Sequence, residues 1–326
     1  MTSSRGNAAK PVALFVLGFG RSGTSALTRV LSLSGAALPA GLLGATAENP
    51  RGCWEPRAAI ALNEAILRRH GSSGYELGLG KHQDGAFDHS TNATYVAKVK
   101  AFLTTLPDAP VVVIKEPKLT AVSGIWFEAA RQAGFDVAAV IAVRHPVEVI
   151  GSLEKRAAGQ YYVQASPELT SAWWLTYTLL AETNTRGVPR VFVEYANLLD
   201  NWRREVKRIS AALDIDLSTR DEGAIDQFLT PDLRHHRHRG PVPEPFGTDW
   251  MSAAYETLGA AARDEPWDES ALDRVFEAYR ATEQGFRTAF EDSRRYLRLN
   301  RLMPPVLVKL ALEVLALAHR RRGTWA

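Results

Sequence analysis

The sequence predicts an α/β fold of three layers, a parallel sheet flanked by helices, with a mostly helical C-terminal part. Three observations predict it. Short apolar runs alternate with stretches of helical periodicity, the pattern of repeated strand–helix–strand units. Four of those runs, 12–17 (VALFVL), 111–114 (VVVI), 137–143 (VAAVIAV) and 190–194 (RVFVE), are almost continuously apolar, as strands are when helices cover both faces of their sheet. With 46% hydrophobic and 23% charged residues in 326, the chain also has enough apolar material for a sizeable core, which excludes a disordered, collagenous or disulfide-stapled protein.

The first strand, 12–17, leads through glycines into a helix over 24–34. Further helices are expected at 56–69, 94–106, 123–133, 146–157, 167–184 and 198–213, each within or after the strand series. Residues 71–91, rich in Gly, Ser, His and Asp, read as a loop insertion able to cover a site. A second such stretch runs over 230–248, with HHRHRG followed by PVPEPFG. Beyond it helices are expected from Trp250, over 271–290 and over 304–318. The organisation expected is a flexible segment 1–11, one large domain over 12–303, and an amphipathic helix with a basic tail over 304–326.

A net charge of +3 leaves room for a local cationic site but not for a nucleic-acid coat. Cys53 is the single cysteine, so no intramolecular disulfide forms and a reducing, cytoplasmic setting is the economical expectation. The apolar run 12–17 is too brief for a signal sequence, and no stretch reaches the ~20 apolar residues needed to span a bilayer.

The most informative residues are Gly18-Phe19-Gly20-Arg21-Ser22-Gly23-Thr24-Ser25. They follow the first strand and open a helix. Glycines permit a tight turn, N–H groups converge with the positive end of the helix, and hydroxyls add donors, so a phosphate or sulfate is favoured there. The spacing Gly18, Gly23, Ser25 matches the nucleotide P-loop, but Thr24 stands at the lysine position. A nucleotide phosphotransferase uses that lysine on the β- and γ-phosphates. Arg21 instead places a cation within the loop.

This loop resembles the 5′-phosphosulfate loop of the sulfotransferases that use 3′-phosphoadenylyl sulfate (PAPS), whose fold is P-loop-like. Arg144-His145-Pro146 follows the strand 137–143, and Ser152 lies eight residues after Arg144. In that family an Arg and a Ser at this spacing hold the donor's 3′-phosphate, and a guanidinium can grip phosphate bidentately. Arg237-His238-Arg239-Gly240 is similar to the basic, glycine-terminated segment with which the family covers the 3′-phosphate and adenine; a merely solvated loop is the alternative. The resemblance is strongest to bacterial sulfotransferases of small molecules, carbohydrates or glycolipids. It extends over 12–213 and takes in the block Asn49-Pro50-Arg51-Gly52-Cys53-Trp54-Glu55 and the turn Lys115-Glu116-Pro117-Lys118.

The resemblance implies a sulfotransferase domain over 12–303, in which a sulfuryl group passes from PAPS to an acceptor hydroxyl and adenosine 3′,5′-bisphosphate (PAP) leaves, with no metal required. The cradle is then Arg21, Ser22, Gly23, Thr24 and Ser25, with Arg144, Ser152, Arg237, Arg239 and Gly240 on the nucleotide. Lys115, at the C-terminal end of a parallel strand, points to the crevice where open α/β sheets bind ligands. Lys115 and Arg21 are the candidate charge stabilisers, Lys118 is the next, and an ion pair of Lys115 with Glu116 is the competing reading. Glu55 is the candidate general base; helix capping is its alternative role, and Glu48 and His145 are the reserves. The His235, His236 and His238 set lacks a carboxylate or cysteine at metal-ligand spacing.

The aromatic stripe around Trp173-Trp174 and Tyr177 is expected to be core before acceptor pocket. The segment 304–318, with Lys309, Glu313 and Ala316 on one stripe and Arg320-Arg321-Arg322 beyond, is expected to pack on its own domain or on a second copy in a homodimer. Peripheral contact with a membrane face is the other reading. Two other functions compete with the sulfotransferase: a small-metabolite phosphotransferase and a noncatalytic nucleotide-binding module.

Overall fold

The computed structural model describes residues 9–46, 49–72, 74, 89–159, 166–218, 221–230, 238 and 240–282, together with positions 307, 309, 310, 313, 314 and 317. The chain divides into two compact units, Met1–Glu277 and Ala278–Ala326, a division earlier than the expected 303/304. The first unit holds four strands, β1 (Val12–Leu17), β2 (Val111–Lys115), β3 (Asp136–Val143) and β4 (Arg190–Glu194), all parallel and in the order β2-β1-β3-β4. The helices are α1 (Thr24–Leu33), α2 (Arg57–Arg69), α3 (His89–Leu103), α4 (Ser123–Gln132), α5 (Pro146–Gly159), α6 (Pro167–Thr183), α7 (Tyr195–Asp200), α8 (Trp202–Leu213), α9 (Glu222–Phe228) and α10 (Trp250–Ala262).

Alternation along the strands explains the three layers. Leu14 and Val16 of β1 join Leu27 and Leu31 of α1 and Val206 and Ile209 of α8 in one cluster. Between them Phe15 points the other way, its ring 6.3 Å from Trp126 and 5.2 Å from Phe127 of α4. Both faces of the sheet are therefore buried, which is why the strands read as unbroken apolar runs. Trp174 is core, 1% exposed, as expected of the α6 stripe.

The strand order positions the site. β1 lies between β2 and β3, so its C-terminal end stands beside both of theirs: Val16 pairs with Lys115 and Leu17 with Ile141. Connections leaving β1 and β3 open a crevice at that edge, the usual ligand position in such sheets.

Several element bounds differ from expectation. The helix expected over 198–213 is two, because Asn201 (φ −151°) interrupts it and its side chain caps α8 by accepting from the Arg204 N–H at 3.0 Å, a cap being worth about 1 kcal/mol. A 3-10 helix over Pro117–Val122 and the Asp221-capped α9 lacked the long periodicity that reveals helices in sequence. α3 begins at His89, inside the expected insertion, while 75–88 lie outside the described residues. α2 begins at Arg57 with Pro56 as its flanking residue, so Glu55 is not its cap.

Candidate active site

The glycine loop is built on backbone that few residues adopt. Gly18 (φ 123°) and Gly23 (φ 89°) take left-handed conformations, and so does Arg21 (φ 72°), a strain of the kind concentrated at functional loops. The Gly18 N–H donates to Thr120 Oγ1 at 3.0 Å, pinning the loop to the 3-10 helix. Gly23 is the N-cap of α1 and no side chain caps that end; its first turn carries no acid. The helix therefore presents its positive end to the crevice. A methyl group on Gly23 would stand 2.2 Å from Tyr195 Cδ2, so the loop rests directly on that ring.

On the β2 side, two remote stretches meet at Lys115, which is 1% exposed. Its ammonium donates to Ser25 Oγ (3.0 Å), the Cys53 carbonyl (2.9 Å) and Glu55 Oε1 (2.5 Å). Asn49 Nδ2 adds a bond to Ser25 Oγ at 3.1 Å. The cation absent from position 24 is thus supplied in space from the neighbouring strand. Glu55, with its side chain 14% exposed, stands at the edge of this cluster. The pairing differs from the competing expectation: Lys115 pairs with Glu55, not with Glu116, and Lys118 pairs with Glu64. Glu116 accepts from Asn63 Nδ2 at 2.5 Å, and Asn63 Oδ1 accepts from Trp126 Nε1 at 2.7 Å. Burial pushes the Glu116 carboxyl up to about 7, with the Asn63 bond opposing and the Glu55 charge adding.

On the β3 side, Arg144 Nη1 donates to the Arg21 carbonyl at 2.8 Å and its Nε to Glu148 Oε2 at 2.7 Å. Nη2 has no protein partner among the described residues. The Arg21 side chain turns the same way and donates from Nε to Ser152 Oγ at 2.8 Å. Arg21 therefore joins the Arg144 and Ser152 group rather than the Lys115 cluster. Beneath them Tyr195 carries the Arg144 guanidinium 4.5 Å from its ring centroid. Burial raises the Tyr195 phenol, with Arg144 opposing.

His145 is bonded to the late loop and not to the Lys115 cluster. Its Nε2 lies 3.2 Å from the Gly240 carbonyl, and its ring is 4.9 Å from those of both His238 and Tyr255. Burial lowers its pKa, the Gly240 bond opposes, and His238 lowers it further. Glu148 Oε1 accepts from the His238 N–H at 2.9 Å, so the late loop is tied to α5 and to the residue before it. Arg144, His145, Glu148, Glu194, His238 and Tyr255 line a cavity of about 380 Å³. Glu48, His235, His236, Arg237 and Arg239 lie outside the described residues.

Five contributors had not been assigned a role from sequence. Glu148 carried a usable signal, an acid four residues beyond Arg144 on a helix. Asn49 and Cys53 stood within the block of the resemblance but without a role, and they, Tyr195 and Thr120 each act through a contact distant in sequence.

No family model and no curated protein matches the chain. Among solved structures it is similar to sulfotransferase STF9 from Mycobacterium avium, with 15% identity over 84% of this chain and 77% of that one and a TM-score of 0.41. It is similar too to the sulfotransferase domain of the Synechococcus PCC 7002 olefin synthase, with 18% identity, 86% and 98% coverage and a TM-score of 0.38. A third is the sulfotransferase domain from the curacin biosynthetic pathway, with 14% identity, 79% and 99% coverage and a TM-score of 0.40.

Proposed function

We propose that the protein transfers a sulfuryl group from PAPS to a hydroxyl of a small-molecule, carbohydrate or glycolipid acceptor. The observation that carries this reading is the double convergence on one loop: Lys115, itself paired with Glu55, at Ser25, and Arg144 and Ser152 at Arg21. One loop thereby presents two cationic ends, which suits a nucleotide charged at both its 5′ and 3′ positions. The residues fit such a donor chemically: an uncapped helix N-terminus, hydroxyls and an ammonium for the phosphosulfate end, a guanidinium and a hydroxyl for the 3′-phosphate.

When bound, the donor supplies a sulfuryl group activated as a phosphosulfate anhydride. Ser22, Thr24, Ser25 and the first-turn N–H groups of α1 hold the 5′ end, and Arg144 with Ser152 holds the 3′-phosphate. All three Lys115 donors are taken by protein acceptors, so its ammonium reaches a donor oxygen by exchange with the Ser25 hydroxyl. Glu55 takes the acceptor's hydroxyl proton as the acceptor oxygen bonds to sulfur and the bond from sulfur to the bridging anhydride oxygen breaks, that oxygen leaving on the 5′-phosphate of PAP. The charge left on the 5′-phosphate is held by the loop and by Lys115.

The test is a thermal-shift comparison of PAP with ATP and ADP, with and without Mg²⁺. PAP at about a hundred times its Kd should stabilise the chain by about 2.7 kcal/mol, without Mg²⁺. Stabilisation by Mg²⁺–ATP with none by PAP overturns the reading in favour of phosphoryl transfer. PAP binding with no PAP release from PAPS across an acceptor panel overturns it in favour of a noncatalytic module. Glu55→Gln should lower turnover by about 10²- to 10⁴-fold with PAP binding retained.

A further inference from the structure

The second unit carries a separate feature. Residues 293–326 hold eight Lys or Arg against one Glu, a net charge of +7 by that count. The whole chain carries +3, so the preceding 292 residues are net acidic at −4. Such asymmetry at one end of a chain marks a segment that meets a surface of opposite sign.

Within the segment, Leu307, Lys309, Leu310, Glu313, Val314 and Leu317 are helical. Leu307, Leu310, Val314 and Leu317 are 46%, 60%, 59% and 58% exposed. Their spacing of three, four and three places them on one helix face. Lys309 and Glu313 are one turn apart and also exposed. Every other residue from Val306 to Ala318 is Val, Leu or Ala, and Arg320-Arg321-Arg322 follow. At the helical rise Leu307 and Leu317 stand about 15 Å apart, short of the ~30 Å hydrocarbon core, and no helix of the described residues is long and apolar enough to cross a membrane. A helix of this length with an exposed aliphatic face and a cationic flank lies along a lipid surface.

We infer that the C-terminal segment is an interfacial anchor for an anionic lipid surface. Charge selects this occupant. A second copy would bring +7 against +7, whereas anionic headgroups supply the opposite sign and acyl chains accept the Leu and Val face. A nucleic acid would meet the charge but leave the aliphatic face in water. The inference is independent of the sulfuryl-transfer reading and would stand if that reading failed.

Flotation of the full chain with lipid vesicles tests it. Vesicles of phosphatidylcholine alone are compared with vesicles containing about one quarter phosphatidylglycerol, at low salt and at about 0.5 M salt. The chain should float with the anionic vesicles, stay behind with the neutral ones, and be released in part by salt. Leu310→Glu with Leu317→Glu should abolish flotation. Replacing Arg320, Arg321 and Arg322 by Gln should weaken it by roughly a hundredfold, with thermal melting unchanged as the check that each variant is folded. Three results would each overturn the inference: no flotation of the unaltered chain, flotation unaffected by the two Leu→Glu changes, or a dimer that those changes convert to monomer with no vesicle binding.

Discussion

Lys115 and Glu55 form the contact on which both the local fold and the proposed chemistry depend, and a double-mutant cycle isolates it. Lys115→Met keeps the length of the stem in a position that is 1% exposed but removes the ammonium from Glu55, the Cys53 carbonyl and Ser25. Breaking one side of a buried pair costs about 3 to 5 kcal/mol; because the Glu55 side chain retains 14% exposure and can recover some water, the lower end, about 3 kcal/mol, is expected. Glu55→Gln keeps an acceptor for the ammonium but removes its counter-charge, at about 1.5 to 3 kcal/mol. The double variant removes both charges together, and its cost should fall short of the sum by about 1 to 3 kcal/mol. Urea midpoints of the four proteins measure the stability cycle, and calorimetric titration of PAP measures binding in each. Lys115→Met should weaken PAP and Glu55→Gln should not. Additivity within about 0.5 kcal/mol would refute the claim that the two residues act as a unit.

Arg144→Ala should lower affinity for PAP by ten- to more than a hundredfold, about 1.5 to 3 kcal/mol, and for adenosine 5′-monophosphate much less; equal losses in titrations of the two ligands reject a 3′-phosphate role. Gly23→Ala places a Cβ 2.2 Å from Tyr195, where ordinary contact begins at 3.4 Å, at a φ of 89°. Strain of about 1 to 3 kcal/mol and overpacking of about 1 to 3 kcal/mol should add, and Tyr195→Ala in the same chain should relieve only the second, as read by urea midpoints. The buried Glu116 carboxyl is pushed up to about 7 from 4.5, so the folded state binds the proton more tightly than the unfolded one. Its contribution is present below pH 4.5 and lost as pH rises through 7, up to about 3 kcal/mol; Glu116→Gln should flatten that fall, and an unchanged pH–stability curve counts against the buried position.

The glycine loop shows what is legible locally. Gly18, Gly23 and the strand before them announce an anion cradle because tight backbone turning and a free helix end are properties of adjacent residues. The four strands were equally legible, since burial on both faces leaves a continuous apolar run. Asn201 was not read as a break because a single capping side chain competes with a strong amphipathic pattern, and the 3-10 helix after Lys115 is too short to set a period.

Sequence by itself determined the strand series, the loop that follows β1 and the charge imbalance of the last 34 residues, all of which depend on neighbours along the chain. Only the tertiary structure decided that Lys115 stands against Ser25, that Glu55 rather than Glu116 is its partner, that Arg21 leans toward Ser152, and that Tyr195 underlies both Gly23 and Arg144. The reason is the sheet order: β1 between β2 and β3 brings together ends separated by about a hundred residues, and no local pattern encodes which strands become neighbours.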